Sequence, residues 1–199
     1  MTPEFRDIII GQLAKHRIMT LATNRSDGWP QATTVSYVND GLNIYFFIAR
    51  VGQKFANILR DPRVSVAIGR DFHTPEAIEG LSFAAKARLV ESKSEYDHAC
   101  ALLAQRFPEY AGWPPPNPAF APLFRIVPEV VSVVDYSKGF GHSDLVVVSQ
   151  SDLKRQAEPK QHDWLGHGQP APSAIVRAVR PSGWSAAARI LPYARGQRG

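Results

Sequence analysis

This sequence predicts an all-β fold: a β-rich barrel with helices only at its periphery. The first observation behind that reading is period-2 alternation. Leu42, Ile44, Phe46 and Ile48 alternate with Asn43, Tyr45 and Phe47, the pattern of a strand whose two faces meet different surroundings. The second is turn punctuation. Asp27-Gly28 and Asn39-Asp40-Gly41 separate consecutive strands, because glycine and asparagine reach the positive φ values of tight hairpin turns. The third is the run Arg50-Val51-Gly52-Gln53-Lys54, where a strand gives way to a helix. Free N–H groups at a helix start, with a lysine beside them, form an anion site, so the barrel is expected to carry a phosphate-bearing cofactor.

The elements follow in order. Thr2-Pro3-Glu4 opens a helix with a threonine N-cap, proline at the first helical position and an acid in the first turn. Phe5, Ile8, Ile9 and Leu13 form its apolar stripe. Strands are expected at about 17–24, 31–38, 42–49 and 64–69, with a short helix from Gln53 to about Leu59 that Asp61-Pro62 stops, since the residue before proline is pushed out of the helical region. Residues 81–91 alternate again, Leu81, Phe83, Ala85, Ala87 and Leu89 against Lys86 and Arg88. Ser94-Glu95-Tyr96-Asp97 opens a third helix with Ala99, Cys100, Leu103 and Phe107 as its buried side. The passage Gly112-Trp113-Pro114-Pro115-Pro116-Asn117-Pro118 reads as extended loop. A last long strand covers about 124–135, and its Pro128 requires a start, a bulge or an edge. Val146-Val147-Val148 adds a short strand after a glycine-hinged loop.

The order LAT…DGWPQATTVSY…LNIYFFIARVGQKFANILRDPRVSVAI resembles the pyridoxamine 5'-phosphate oxidase-like superfamily of flavin-binding split barrels over roughly the first three quarters of the chain. The most specific part is the run with Lys54, Asn57, Asp61, Pro62, Arg63 and Val64. The resemblance implies a six-stranded Greek-key split β-barrel, homodimeric, with each flavin between subunits. It implies that Lys54 contacts an FMN phosphate, that the backbone of Thr33, Thr34, Val35 and Ser36 runs along the flavin ring, and that the strand holding Phe47 and Ile48 closes the other side. Arg50 and Gln53 flank the same junction and join the candidate cofactor-binding residues. The chain also departs from the authentic oxidases. These carry an arginine at the position of Thr33, a lysine at that of Val38, an arginine at that of Gln53 and a glutamine near Gly80. Three positive charges near phosphate or substrate are thus missing, and the substrate-binding arginine signature of the oxidases is absent. The resemblance therefore implies a two-electron flavin oxidoreductase acting on some other small organic molecule. Deazaflavin-dependent reduction, haem binding or degradation, and non-catalytic flavin carriage remain open as alternatives.

Composition narrows the rest. The 199 residues and 44% hydrophobic content suit one substantial core. One cysteine excludes an internal disulfide framework and a multi-cysteine metal site; Cys100 is expected to pack as a small hydrophobe. No apolar run approaches the roughly 18 residues of a membrane span, and the first residues lack the pattern of a secretory signal, so a cytoplasmic location without membrane contact is expected. The net charge of +5 is unevenly placed. Residues 154–199 hold eight Lys and Arg against Glu158 and Asp163, so this tail is basic while the rest is nearly neutral. That distribution argues against a specific nucleic-acid partner for the folded domain. The tail also contains ten Gly or Pro, and the domain is expected to comprise 1–153 with 154–199 a mobile extension.

Among the histidines, His16, His73 and His98 are expected at the surface. His142, in Gly139-Phe140-Gly141-His142, is a candidate for contact with substrate or a second ligand, because the glycines allow close approach and a similar turn occurs in haem-binding split barrels. His162 and His167 are five residues apart and share no helix face. No nucleophile–base pair, metal-ligand spacing or dinucleotide fingerprint is present. Catalysis would rest on the cofactor, with the protein binding and orienting it.

Overall fold

A computed structural model describes residues 1–110, 112–149 and 152–153. The expected extension at 154–199, with His162 and His167, lies outside the described residues. Helix α1 spans Pro3–Lys15, followed by β1 (Ile18–Asn24), β2 (Pro30–Ser36), β3 (Val38–Asp40) and β4 (Asn43–Phe47). Then come α2 (Gln53–Arg60), β5 (Arg63–Gly69), β6 (Glu79–Leu89), α3 (Lys93–Arg106), β7 (Leu123–Asp135) and β8 (Ser143–Val147). The Thr2 side chain accepts from the Phe5 N–H and caps α1, as its sequence signature requires. Gly28 (φ 88°) and Gly41 (φ 57°) turn the two hairpins in the left-handed region.

All strands among the described residues belong to one antiparallel sheet in the order β2-β1-β5-β6-β7-β4-β3, with β8 paired to β7 beside β4. Among the described residues the sheet thus has eight strands rather than six. The single strand expected at 31–38 is divided at Tyr37, which leaves β1 and hands the chain to β4. Ser36 pairs with Ile18 on one edge, and Val38 pairs with Tyr45 on the other. One bent segment therefore joins both edges of the sheet, and this curls it into the split barrel. Tyr37 sits fully buried at the bend and donates its hydroxyl to the Leu13 carbonyl at 2.8 Å. Burial pushes its phenol pKa up to about 12. Arg106 donates to the carbonyls of Leu13, Ala14 and His16, so acceptors left open at the end of α1 find a cation.

The inward faces of the strands build the main core from Leu21, Ile44, Phe46, Phe83, Phe124 and Val131, with Ile9 and Leu13 of α1 packed in. Both faces of β4 are covered. Ile44 and Phe46 enter that core, while Tyr45 joins Val38, Ala99, Phe107 and Leu123 in a smaller cluster beneath α3. The expected buried stripe of α3 is shallower than its sequence suggests. Only Ala99 is buried on the helix, and Cys100 is half-exposed beside Tyr96. His16 is likewise half-buried rather than a free surface residue; burial, followed by the Arg70 charge, lowers its pKa. Pro128 falls where the chain allows it. Val130 pairs with Ala84 and Pro128 with Ala85, so Glu129 is the extra residue of a β-bulge, where a missing N–H costs least. No described helix is long and apolar enough to cross a membrane.

Candidate functional site

The end of β4 and the start of α2 are fixed by backbone bonds. Beyond Phe47, the N–H groups of Ile48 and Arg50 donate to the carbonyls of Pro122 (3.2 Å) and Phe120 (2.8 Å). The Gly52 N–H then closes a turn on the Ala49 carbonyl at 2.9 Å, and the Gly52 carbonyl receives Phe55 at 3.0 Å to begin the helix. This leaves the N–H groups of Gln53 and Lys54 without acceptors among the described residues, a pair of donors at the positive end of α2. The Lys54 side chain is half-buried and has no hydrogen-bond or ion-pair partner among the described residues. Burial accordingly lowers its pKa. A half-buried lysine without a counter-charge, at a helix start with two free amides, is a candidate anion site.

Arg50 is placed differently. Its Nε donates to the Ala119 carbonyl at 2.9 Å and its Nη2 to the Pro118 carbonyl at 3.1 Å, and the guanidinium lies 5.2 Å from the centre of the Phe55 ring. It clamps the 117–121 loop against α2. Gln53 turns its amide toward the helix and donates to Asn57 Oδ1 at 2.9 Å.

Strand β2 supplies the second part of the site. Among the described residues it pairs with β1 alone, so backbone groups on its other side form an open edge there. Thr34 and Ser36 face outward and are exposed, while Thr33 and Val35 point inward and are half-buried. The Thr33 Oγ1 is buried without a hydrogen-bond partner, an orphaned polar atom on the face turned toward α2. Phe47 packs its ring edge-on against Tyr96 at 6.1 Å, and Ile48 lies in the barrel core. Of the sequence-derived candidates, Gln53, Lys54 and the inward side of β2 share one locality. Arg50 is committed to a loop, and Phe47 belongs to the packing under α3.

Sequence reasoning passed over the connection between these parts. Asn57 is 1% exposed, and its Nδ2 donates to Thr23 Oγ1 at 3.0 Å and to Gln31 Oε1 at 3.2 Å. It thereby joins α2 to β1 and β2. Asn57 stands in the motif that begins at Lys54, but only the pairing of Thr23 with Gln31 across β1 and β2 shows what it reaches.

His142 lies beside the end of β7. Its carbonyl accepts from the Asp135 N–H, and its Nε2 lies 3.1 Å from Asp144 Oδ2. Asp135 ends β7, whereas the loop held by Arg50 precedes its first residue, Leu123. A 13-residue strand separates the two by roughly 40 Å along its length at about 3.3 Å per residue. His142 therefore bonds at the end of β7 opposite to the loop that Arg50 holds. No group of three or more His, Cys, Asp or Glu suited to hold a metal is found among the described residues.

A curled antiparallel sheet whose two edges are joined by one bent segment defines the split-barrel class. The sequence model of the pyridoxamine 5'-phosphate oxidase family matches residues 1–135, and the chain belongs to this family. No curated protein matches it in sequence. Among solved structures, it is similar to a haem-binding protein from Mycobacterium smegmatis (TM-score 0.62, 21% identity, covering 74% of this chain and 59% of that one). It is also similar to a conserved hypothetical protein from Mycobacterium tuberculosis (TM-score 0.55, 27% identity, 76% and 94%). A third is an FAD-binding protein from Mesorhizobium loti (TM-score 0.50, 22% identity, 66% and 92%).

Proposed function

We propose that this protein is a cytoplasmic, homodimeric FMN-binding oxidoreductase that acts on a small organic substrate. The observation that carries the reading is Lys54: a half-buried ammonium with no counter-charge among the described residues, next to the free N–H groups of Gln53 and Lys54. An FMN phosphate would supply the missing charge. The open edge of β2 at Thr33–Ser36 offers backbone donors and acceptors to the pyrimidine side of the ring, and the orphaned Thr33 Oγ1 gains a polar neighbour. When bound, the flavin would accept or donate a hydride, and the chain's own residues bind and orient it. Because Thr33, Val38 and Gln53 replace basic residues of the authentic oxidases, phosphate binding is weaker and the vitamin B6 substrate is not implied.

The dimer reading draws on the outward face of the sheet. Thr34, Thr20, Ala67 and Ser82 lie in register across four strands, and Ala32, Ala22, Ser65 and Ala84 form the next row. Small uncharged side chains on a broad sheet face suit close approach of a second copy. Sedimentation should return about twice the 22.0 kDa chain mass.

Titration of apo-protein with FMN, followed by quenching of flavin fluorescence, tests the cofactor. Absence of binding up to roughly 100 μM defeats the FMN reading, and mass spectrometry of the ligand retained on purification separates FMN from a deazaflavin. The likeness to the Mycobacterium smegmatis protein motivates a haem titration as well. A Soret band abolished by His142→Ala would favour haem, while reversible flavin reduction without turnover of any acceptor would favour a carrier.

A further inference from the structure

We propose that Asn57 is a positioning residue of the cofactor site, holding the phosphate cradle of α2 at a fixed separation from the ring-binding edge of β2. This inference rests on the FMN reading above. Its basis is a buried hydrogen-bond hub in which every arm has a partner. Asn57 Oδ1 accepts from Gln53 Nε2 at 2.9 Å, and its Nδ2 donates to Thr23 Oγ1 at 3.0 Å and Gln31 Oε1 at 3.2 Å. Gln53 is the first residue of α2 and supplies one of the two free amides, while Lys54 follows it. Gln31 lies on β2 two residues before Thr33, on the same inward face. A single side-chain amide therefore connects the residue that opens the anion site to the strand proposed to carry the ring.

An asparagine suits this task because its planar amide offers an acceptor on one side and two donors on the other. A buried hub so satisfied holds one arrangement, whereas one missing a partner leaves polar atoms stranded. A ligand that reaches both the phosphate cradle and β2 depends on their separation. A ligand that meets only β2 does not. FMN and riboflavin differ in the phosphate alone and make that distinction directly.

The test compares FMN and riboflavin binding to the full chain and to Asn57→Ala, Gln31→Leu, Lys54→Ala and Asn57→Ala/Lys54→Ala, with a thermal melt of each. Gln31→Leu cuts only the arm to β2 and serves if Asn57→Ala does not fold. The expected result is an FMN affinity about tenfold weaker in Asn57→Ala or Gln31→Leu, with riboflavin affinity changed less than about twofold. In the Lys54→Ala background the Asn57 substitution should add little, because the two act on the same phosphate contact. Equal losses for both ligands, or a lower melting temperature with FMN affinity intact, overturn the positioning role and leave the FMN reading standing. Wild-type protein that binds neither ligand overturns the FMN reading, and the positioning role falls with it.

Discussion

Asp61 and Arg63 grip each other across Pro62: Arg63 Nε donates to Asp61 Oδ1 at 2.9 Å and Nη2 to Oδ2 at 2.7 Å. The Arg63 N–H adds a bond to Oδ1 at 3.1 Å, and Asn24 Nδ2 one to Oδ2 at 2.9 Å. The Asp-Pro-Arg sequence thus stops α2, closes the turn into β5 and ties it to the end of β1. These bonds, the Arg63 side chain's first, hold the Asp61 carboxyl well below the ordinary aspartate value of 3.8. A carboxyl whose pKa is depressed on folding contributes stability above its unfolded pKa and loses it as pH falls through the folded value. Asp61→Asn should therefore melt below wild type at pH 7, with the gap closing as pH falls from about 4 toward 2. Because Arg63 is largely exposed, salt should narrow the gap. Melting temperatures of both proteins across that range check this, and a pH-independent gap counts against it.

Two glycines respond oppositely to alanine. At Gly80 an added Cβ would stand 2.6 Å from the Ile68 carbonyl oxygen, at the last pair of the β5–β6 ladder, where Gly69 faces Gly80. Backbone on both sides must shift, and Gly80→Ala should cost about 1–3 kcal/mol. At Gly11, inside α1, the added methyl meets nothing within 4 Å. Gly11→Ala should stabilise by about 0.4–1 kcal/mol through the smaller entropy of the unfolded chain. Denaturant titrations give both signs, and a stabilised Gly80→Ala would contradict the packing argument.

Much of the architecture was legible because local chemistry and tertiary placement agreed. The Thr2-Pro3 helix start, the two glycine turns, the Asp61-Pro62 stop and the demand that Pro128 sit in a bulge each follow from backbone sterics, which act in the same way in any context. What could not be read depends on partners distant in sequence. Nothing local shows that Tyr37 divides a strand, since that break exists only because β4 waits on the other edge. Likewise Tyr45 alternates as though it were on an exposed face, and α3 covers it. In the candidate site, the place of Lys54 at a helix start was legible. The commitment of Arg50 to the Pro118 and Ala119 carbonyls required knowing where a loop some 70 residues later returns. Asn57 was visible as a letter in a motif, but its function as a hub depends on the register of β1 against β2.

The last described residues belong to the folded domain. Asp152 is 1% exposed, and its Oδ2 accepts from the Ser149 N–H and hydroxyl at 2.7 Å each. Its Oδ1 accepts from the Met1 nitrogen at 3.3 Å, its carbonyl accepts from Arg6 at 3.0 Å, and Leu153 packs on the barrel core. A chain cut after Leu153 should keep a cooperative melt close to that of the full protein. A chain cut after Val148 leaves Arg6 and the Met1 nitrogen without these partners and should lose about 3 kcal/mol or more. Comparable melts for the two truncations would show that Asp152 does not anchor the domain.

Lys54 gives the most direct prediction, because the FMN proposal gives it opposite effects in the apo-protein and with ligand. Without a phosphate, burial disfavours its charge and lowers its pKa below 10.5. The unfolded chain then binds that proton more tightly, so the apo-protein should gain stability as pH rises from the lowered value toward 10.5. Lys54→Ala removes the buried ammonium and should abolish that gain, leaving apo stability at pH 7 equal to or slightly above wild type. With FMN the order inverts. On the FMN proposal the phosphate is the counter-charge, and Lys54→Ala should weaken binding by about 1.5–3 kcal/mol, the scale of a charged hydrogen bond. Loss of ligand affinity together with unimpaired apo stability distinguishes a binding lysine from a structural one. Titration and melting of the same two preparations measure both quantities, and FMN affinity equal to wild type in Lys54→Ala would remove the phosphate site from this residue.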